Sequence, residues 1–248
     1  MKILIPFLIT LIAGLSTVLG CFAIYLKPKN INKFISISLS FSATVMILIS
    51  ITDLIPTSLF NILENVRVGK ALFFMILSFL LGVSLINFVD KKIDKYKNDN
   101  NLYKVGILSA VVLVLHNLPE GVATFLSSYT DIKLGLNLAF AIACHNIPEG
   151  ICIAVPLFYS TKSKSRAIRA TLFSGLSEVL GALLAFLFLS RFVTEVMISF
   201  ILIGVSGIMI SLAINELYKE ARKYDSNKYF YLGIIIALIF IILQHLFL

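Results

Sequence analysis

Leu115-His116-Asn117-Leu118-Pro119-Glu120-Gly121 and Cys144-His145-Asn146-Ile147-Pro148-Glu149-Gly150 are two copies of one pattern, H-N-x-P-E-G, each set inside a strongly apolar segment. On a helix, His and Glu four residues apart share a face, with Asn about 100° round the wheel. Proline at the fourth motif position donates no hydrogen bond, so the carbonyl four residues back, at Leu115 or Cys144, is freed and local unwinding is expected. Ionisable groups in apolar helices are costly; the insertion scale puts a central acidic residue at about +2.5 to +3.5 kcal/mol. A chain that accepts this twice, beside two histidines, gains function from it. A divalent cation is the natural partner, because it neutralises carboxylates and takes imidazole nitrogen as a ligand.

The composition is that of a membrane protein. The 248 residues are 59% hydrophobic and 14% charged, with mean hydropathy +0.98, whereas a soluble domain is about 45–50% apolar and 25% charged. The formal charge of +8 does not indicate nucleic acid, because the charges fall in short loops between apolar segments, as membrane topology requires. Cys21, Cys144 and Cys152 all lie in apolar segments and have neither disulfide-framework nor metal-finger spacing.

Outward from the motifs, eight apolar segments approach the roughly 20 residues needed to cross a bilayer. They run from about Leu4 to Tyr25, Phe34 to Ile55 (ending at Pro56), Ala71 to Val89 and Leu102 to Phe125; a short turn, Ser127 to Lys133, leads into the fifth, which ends near Tyr159, and the rest run from Ala170 to Ser190, Val196 to Leu217, and from Tyr229 onward. The first has Lys2 and a small-residue pair, Ala13-Gly14, like a signal peptide. Its apolar run continues past Cys21 to Leu26 and is followed by Lys27, Lys29 and Lys33, so a retained helix is expected. No long linker divides the series, which predicts one transmembrane domain over residues 1–248.

Alternate loops divide the Lys and Arg residues unequally. Sixteen fall on one side: Lys27, Lys29, Lys33, Lys91, Lys92, Lys95, Lys97, Lys104, Lys162, Lys164, Arg166, Arg169, Lys219, Arg222, Lys223 and Lys228. Five fall on the other: Lys2, Arg67, Lys70, Lys133 and Arg191. The positive-inside rule places the larger set in the cytoplasm and both termini outside. The two motif helices then run antiparallel, so the same motif occurs once in each direction. Inverted repeats meeting near the midplane at interrupted helices are the signature of a secondary transporter's binding site, and carbonyls freed there are acceptable inside protein or beside a cavity.

His116, Glu120, His145 and Glu149 together offer two imidazoles and two carboxylates, a set suited to Zn²⁺ in a tetrahedral site and to Fe²⁺ or Mn²⁺ with added water or amide oxygen. Asn117 and Asn146 add neutral oxygens for a second ion nearby. The competing reading is that these groups bridge helix to helix and bind nothing; a six-residue pattern present twice weighs against it.

These residues resemble the ZIP (Zrt/Irt-like) divalent metal transporters, and particularly the bacterial ZupT branch, which has a similar HNxPEG pair on its fourth and fifth helices. The resemblance extends to Ser174-Gly175-Leu176-Ser177-Glu178-Val179-Leu180-Gly181 and to Asp53-Leu54-Ile55-Pro56, and it covers essentially the whole chain. It implies an all-α polytopic fold of eight transmembrane helices, with helices one to three related to six to eight by an inverted repeat around the central pair. It also implies a binuclear site. His116, Glu120, His145 and Glu149 would form the first centre, and Asn117, Asn146 and Glu178 would complete a second, with Glu120 and Glu149 bridging. The implied activity is uptake of Zn²⁺, with Fe²⁺, Mn²⁺ and Cd²⁺ as further candidates, across the cell membrane with no resident cofactor; dimers and elevator-like motion also occur in the family. Two features depart from it: Asp90 to Lys104 contains no histidine, where many members have a His-rich loop, and Asn215-Glu216-Leu217 stands where the ZupT branch has Asp-Glu-Leu.

Two rival functions share the ligand set. An intramembrane zinc hydrolase would use a His/Glu-bound metal to activate water, but no H-E-x-x-H helix is present. A metal-binding membrane sensor would bind without transport, and flux distinguishes it. Asp53 and Glu216 are candidates to guide ions or to cap helices near the interface, and His245 is expected to be interfacial.

Overall fold

The motif helices turn back on each other across a single residue. α5 (Asn101–Thr130) and α6 (Ile132–Thr161) are joined at Asp131, whose Oδ1 accepts from the backbone N–H groups of Lys133 and Leu134 and so caps α6. The structure, a computed structural model, describes residues 3–94, 101–188, 194–225 and 227–247. The remaining helices are α1 (Leu4–Leu19), α2 (Ile31–Ile49), α3 (Ile55–Asn65), α4 (Val68–Asp94), α7 (Lys164–Leu187), α8 (Glu195–Leu212), α9 (Tyr218–Tyr224) and α10 (Lys228–Phe247). Side chains of the loops set several starts: Asn30 accepts from Lys33, Ser163 from Arg166 and Thr194 from Met197, each capping the helix that follows.

Among the described residues, eight helical runs are long and apolar enough to cross a membrane: Leu4–Tyr25, Ile31–Asn65, Val68–Ile93, Asn101–Thr130, Ile132–Thr161, Lys164–Leu187, Glu195–Tyr224 and Lys228–Leu246. The chain is thus an all-α, multi-pass integral membrane protein. Of the basic residues that set the expected topology, Lys2, Lys95, Lys97 and Arg191 lie outside the described residues, as does Ser190 at the expected end of the sixth segment.

Several boundaries differ from the sequence expectation. The second span does not stop at Pro56 but continues to Asn65, because Pro56 falls in the first turn of α3, where its missing N–H has no partner to lose. Just before it, residues Ser50–Leu54 form a π turn closed by the Ile55 N–H on the Ser50 carbonyl. The seventh span has a matching π turn, Ala213–Leu217, closed by the Tyr218 N–H on the Ala213 carbonyl. Pro119 and Pro148 do not unwind their helices. α5 and α6 run through them, since proline's φ is itself helical and the loss is confined to one hydrogen bond. The expected outer turn from Ser127 to Lys133 is helical apart from Asp131.

The helices sort into two bundles. α1, α5, α6 and α7 pack on one another; α10 and α9 pack on α2, while α4 and α3 pack on α8. The bundles meet mainly where α2 lies along α6 and α5 along α8. Within the first bundle, contact is backbone to backbone at glycine. A Cβ on Gly121 would overlap the backbone of Glu178 on α7, and one on Gly150 would overlap the Thr17 carbonyl on α1. Small residues permit such approach where lipid provides no hydrophobic drive for association. The Ala13-Gly14 pair that imitated a signal peptide has the same role, Gly14 lying against Gly175.

Candidate metal centre

The one-residue reversal at Asp131 sets the two H-N-x-P-E-G faces against each other. His116 Nε2 lies 3.1 Å from Glu120 Oε1, on its own helix one turn on, and 3.2 Å from Glu149 Oε1 on α6. His145 Nε2 lies 3.0 Å from the same Glu120 oxygen. The imidazole centroids are 6.4 Å apart. All four side chains are buried, His116 completely and Glu149 to within 1%. One atom each from His116, Glu120 and His145 falls within a 4.8 Å cluster. A tetrahedral ion with bonds of 2.0–2.1 Å has ligand atoms about 3.3 Å apart, so these separations are close to those of a first coordination shell.

The asparagines point a different way, as the helical wheel requires. Asn117 Nδ2 donates to the Ser174 carbonyl on α7 at 3.0 Å. Asn146 Nδ2 donates to the Ala13 carbonyl on α1 at 3.0 Å and to Glu178 Oε1 on α7 at 2.5 Å. Asn117 thus donates to α7 and Asn146 to both α1 and α7, and each leaves its oxygen over. Asn117 Oδ1, Asn146 Oδ1, Glu120 Oε2, Glu149 Oε2 and Glu178 Oε2 are buried without a hydrogen-bond donor. Buried acceptors are nearly always satisfied, and a group of them in apolar helices costs several kcal/mol unless a positive charge is shared. The donor set is therefore oxygen-rich on the Asn/Glu178 side and mixed nitrogen and oxygen on the His side. It is suited to divalent cations of the first transition row.

Of the seven residues singled out in the sequence, the structure sets His116, Glu120, His145 and Glu149 against one another and Asn146 on Glu178, while Asn117, one residue from His116, is held to the Ser174 carbonyl. It also adds supports that motif reading missed. The carbonyls of Ala13 and Ser174 orient the two amides, and Ser42 Oγ on α2 donates to the Pro148 carbonyl at 2.6 Å. Backbone acceptors have no sequence signature; the small-residue pairs Ala13-Gly14 and Ser174-Gly175 were the only available signal. Cys144 is partly buried, and Cys21 and Cys152 are buried free thiols; Cys152 donates to the Glu149 carbonyl. Asp53 and His245 pair with each other at 3.3 Å, both about half-exposed. Glu216 lies near Lys104.

A profile of the family described as ZIP Zinc transporter matches residues 94–243. The chain is 38% identical to the zinc transporter ZupT of Oceanobacillus iheyensis, over 94% of both chains. It is 39% identical to that of Lysinibacillus sphaericus over 91% of both. The chain belongs to the ZIP family. It is also 33% identical to a zinc transporter ZupT of Clostridium perfringens, over 96% of this chain and 94% of that one. ZIP membership makes the chain a transporter of divalent metal rather than an enzyme, and the buried His/Glu cluster is consistent with that.

Proposed function

We propose that this ZIP protein takes up Zn²⁺ across the cell membrane into the cytoplasm through a binuclear centre. His116, Glu120, His145 and Glu149 hold one ion; Asn117, Asn146, Glu178 and the bridging Glu120 and Glu149 hold the second. The observation that carries this reading is the concentration of donorless oxygens between α5, α6 and α7, supported by the names of the relatives. Both termini lie outside, from the charge tally, and a homodimer is the expected assembly. Fe²⁺, Mn²⁺ and Cd²⁺ compete for the same donors, since His/Glu/Asn sites do not exclude them. The separation of the helices into two bundles, with every proposed ligand on one of them, suits movement of that bundle as a unit.

The test is uptake of radiolabelled Zn²⁺ into proteoliposomes with the other three metals as competitors. Saturable uptake supports transport, and the order of competition ranks the metals. Zn²⁺ that binds without crossing would leave the site and overturn the function. Protons compete with metal for imidazole and carboxylate. Uptake is therefore expected to weaken as external pH falls from about 7.5 to about 5.5, the range in which histidine ordinarily titrates, and unchanged affinity over that range would count against the ligand set.

The two centres can be separated. Glu178→Gln keeps an oxygen toward Asn146 but removes a charge from the second centre alone. Bound Zn²⁺, measured by equilibrium dialysis and elemental analysis, is expected to fall from two ions per chain toward one. Two ions retained would remove Glu178 from the ligand set.

A further inference from the structure

Away from the metal centre, the two bundles are joined at one end by an ion pair. Lys104, in the first turns of α5, belongs to the metal-bearing bundle. Its Nζ lies 2.7 Å from Asp90 Oδ1, near the end of α4, and 3.6 Å from Glu216 Oε2 in the second π turn. Both carboxylates belong to the other bundle. The three side chains are mostly buried, with 19–24% of each exposed, so the attraction is less screened than on an open surface. Beside them lies a cavity of about 360 Å³ with a polar lining that includes Asn87, Asp90, Ser211, Asn215, Glu216 and Lys219. By the charge tally this end faces the cytoplasm.

We propose that Lys104 is a latch that holds the metal-bearing bundle to the α4/α8 bundle at this face and that must release when the bundles move. The inference rests on the reading of the chain as a transporter. α4 and α5 touch sparingly, and the apolar contacts beside Lys104, from Leu102 and Val105 into the core shared with Ile86 and Leu217, are non-directional, so the ion pair is the part of this contact that fixes one arrangement. The π turn supplies the geometry: a π insertion rotates the residues after it relative to a regular helix, and π turns recur at functional sites. The π turn places Glu216 against α5, where it meets a residue of the opposite bundle. Release separates an ammonium from two carboxylates that line the cavity, and frees both to move with their own helices.

The test uses a variant with Cys21, Cys144 and Cys152 changed to alanine and a reporter, Ser211→Cys, at a buried position lining the cavity. Labelling by a maleimide is followed without metal. Lys104→Gln is expected to speed labelling by about two- to fivefold, the range for a partly screened pair, and Lys104→Arg to leave it at the parent rate. Asp90→Asn is expected to give a similar gain, and the double variant Lys104→Gln/Asp90→Asn no more than either alone, because contacting partners are not additive. Labelling unaltered by Lys104→Gln, or gains that multiply in the double variant, would overturn the latch. A second reporter, Ala237→Cys, buried between α10 and α2, is expected to stay unlabelled throughout. Faster labelling there too would mean general loosening, and would also overturn it. Zn²⁺ uptake by the wild type, measured in parallel, tests the transport reading separately: its failure would leave the labelling result intact.

Discussion

Glu120→Ala is expected to abolish Zn²⁺ uptake. Glu120 is the residue on which both imidazoles converge, one oxygen lying 3.1 Å from His116 Nε2 and 3.0 Å from His145 Nε2, while its other oxygen is buried without a donor. In the proposed centre it bridges, so its removal takes one ligand from each ion at once. Loss of even an outer-shell partner costs about 10–100-fold in metal affinity or activity, and loss of a shared first ligand is expected to exceed that. The comparison is Glu195→Ala, at the exposed first residue of α8, where uptake is expected to match wild type. Reconstituted protein at equal density in vesicles, with initial rates of radiolabelled Zn²⁺ entering, reads the difference directly. Equal rates in the two variants would sink the site assignment, because no bridging carboxylate can be as dispensable as a solvated one.

The parts of this fold legible in the sequence are those governed by solvation and periodicity. A run of apolar residues broken by lysines fixes a span, and His-x-x-x-Glu twice over fixes two functional faces; both rules depend on residue type alone. What was not legible depends on backbone geometry. Pro56 reads as the end of a helix, yet it falls where a new helical segment begins after a π turn, and the same residue type is tolerated mid-helix at Pro119 and Pro148. The two π turns carry similar tetrapeptides, Ile51-Thr52-Asp53-Leu54 and Ile214-Asn215-Glu216-Leu217, in the second and seventh spans. Comparing the outer thirds of the chain with each other would have found them. The seven proposed ligands were named and, through the resemblance, grouped into two centres, but the contacts that orient them were not. That Asn146 addresses Glu178 while Asn117 addresses the Ser174 carbonyl depends on how closely α7 and α1 approach, and glycine sets that distance without revealing what it faces.

Gly121→Ala tests that dependence and is expected to be the most damaging single-methyl addition in the centre. The new Cβ would overlap the carbonyl oxygen, carbonyl carbon and Cα of Glu178. These are backbone atoms of a helix and cannot turn aside as a side-chain tip could. Overpacking typically costs about 1–3 kcal/mol, and a chain of this size loses about 2–4 °C of melting temperature per kcal/mol. A fall toward the upper end, about 10 °C, is expected in detergent. Gly69→Ala is the matched control, since nothing lies within 4 Å of its added methyl, and its melting temperature is expected to stay at the parent value. The functional consequence follows from the same displacement. Pushing α7 away from α5 withdraws Glu178 from Asn146 and the Ser174 carbonyl from Asn117, so the oxygen-rich half of the centre opens while His116, Glu120, His145 and Glu149 remain on their two helices. Zn²⁺ bound per folded chain should then fall as in Glu178→Gln. A Gly121→Ala protein that melts normally and binds as wild type would mean that α5 and α7 tolerate separation, and that the close approach at glycine does not define the second centre.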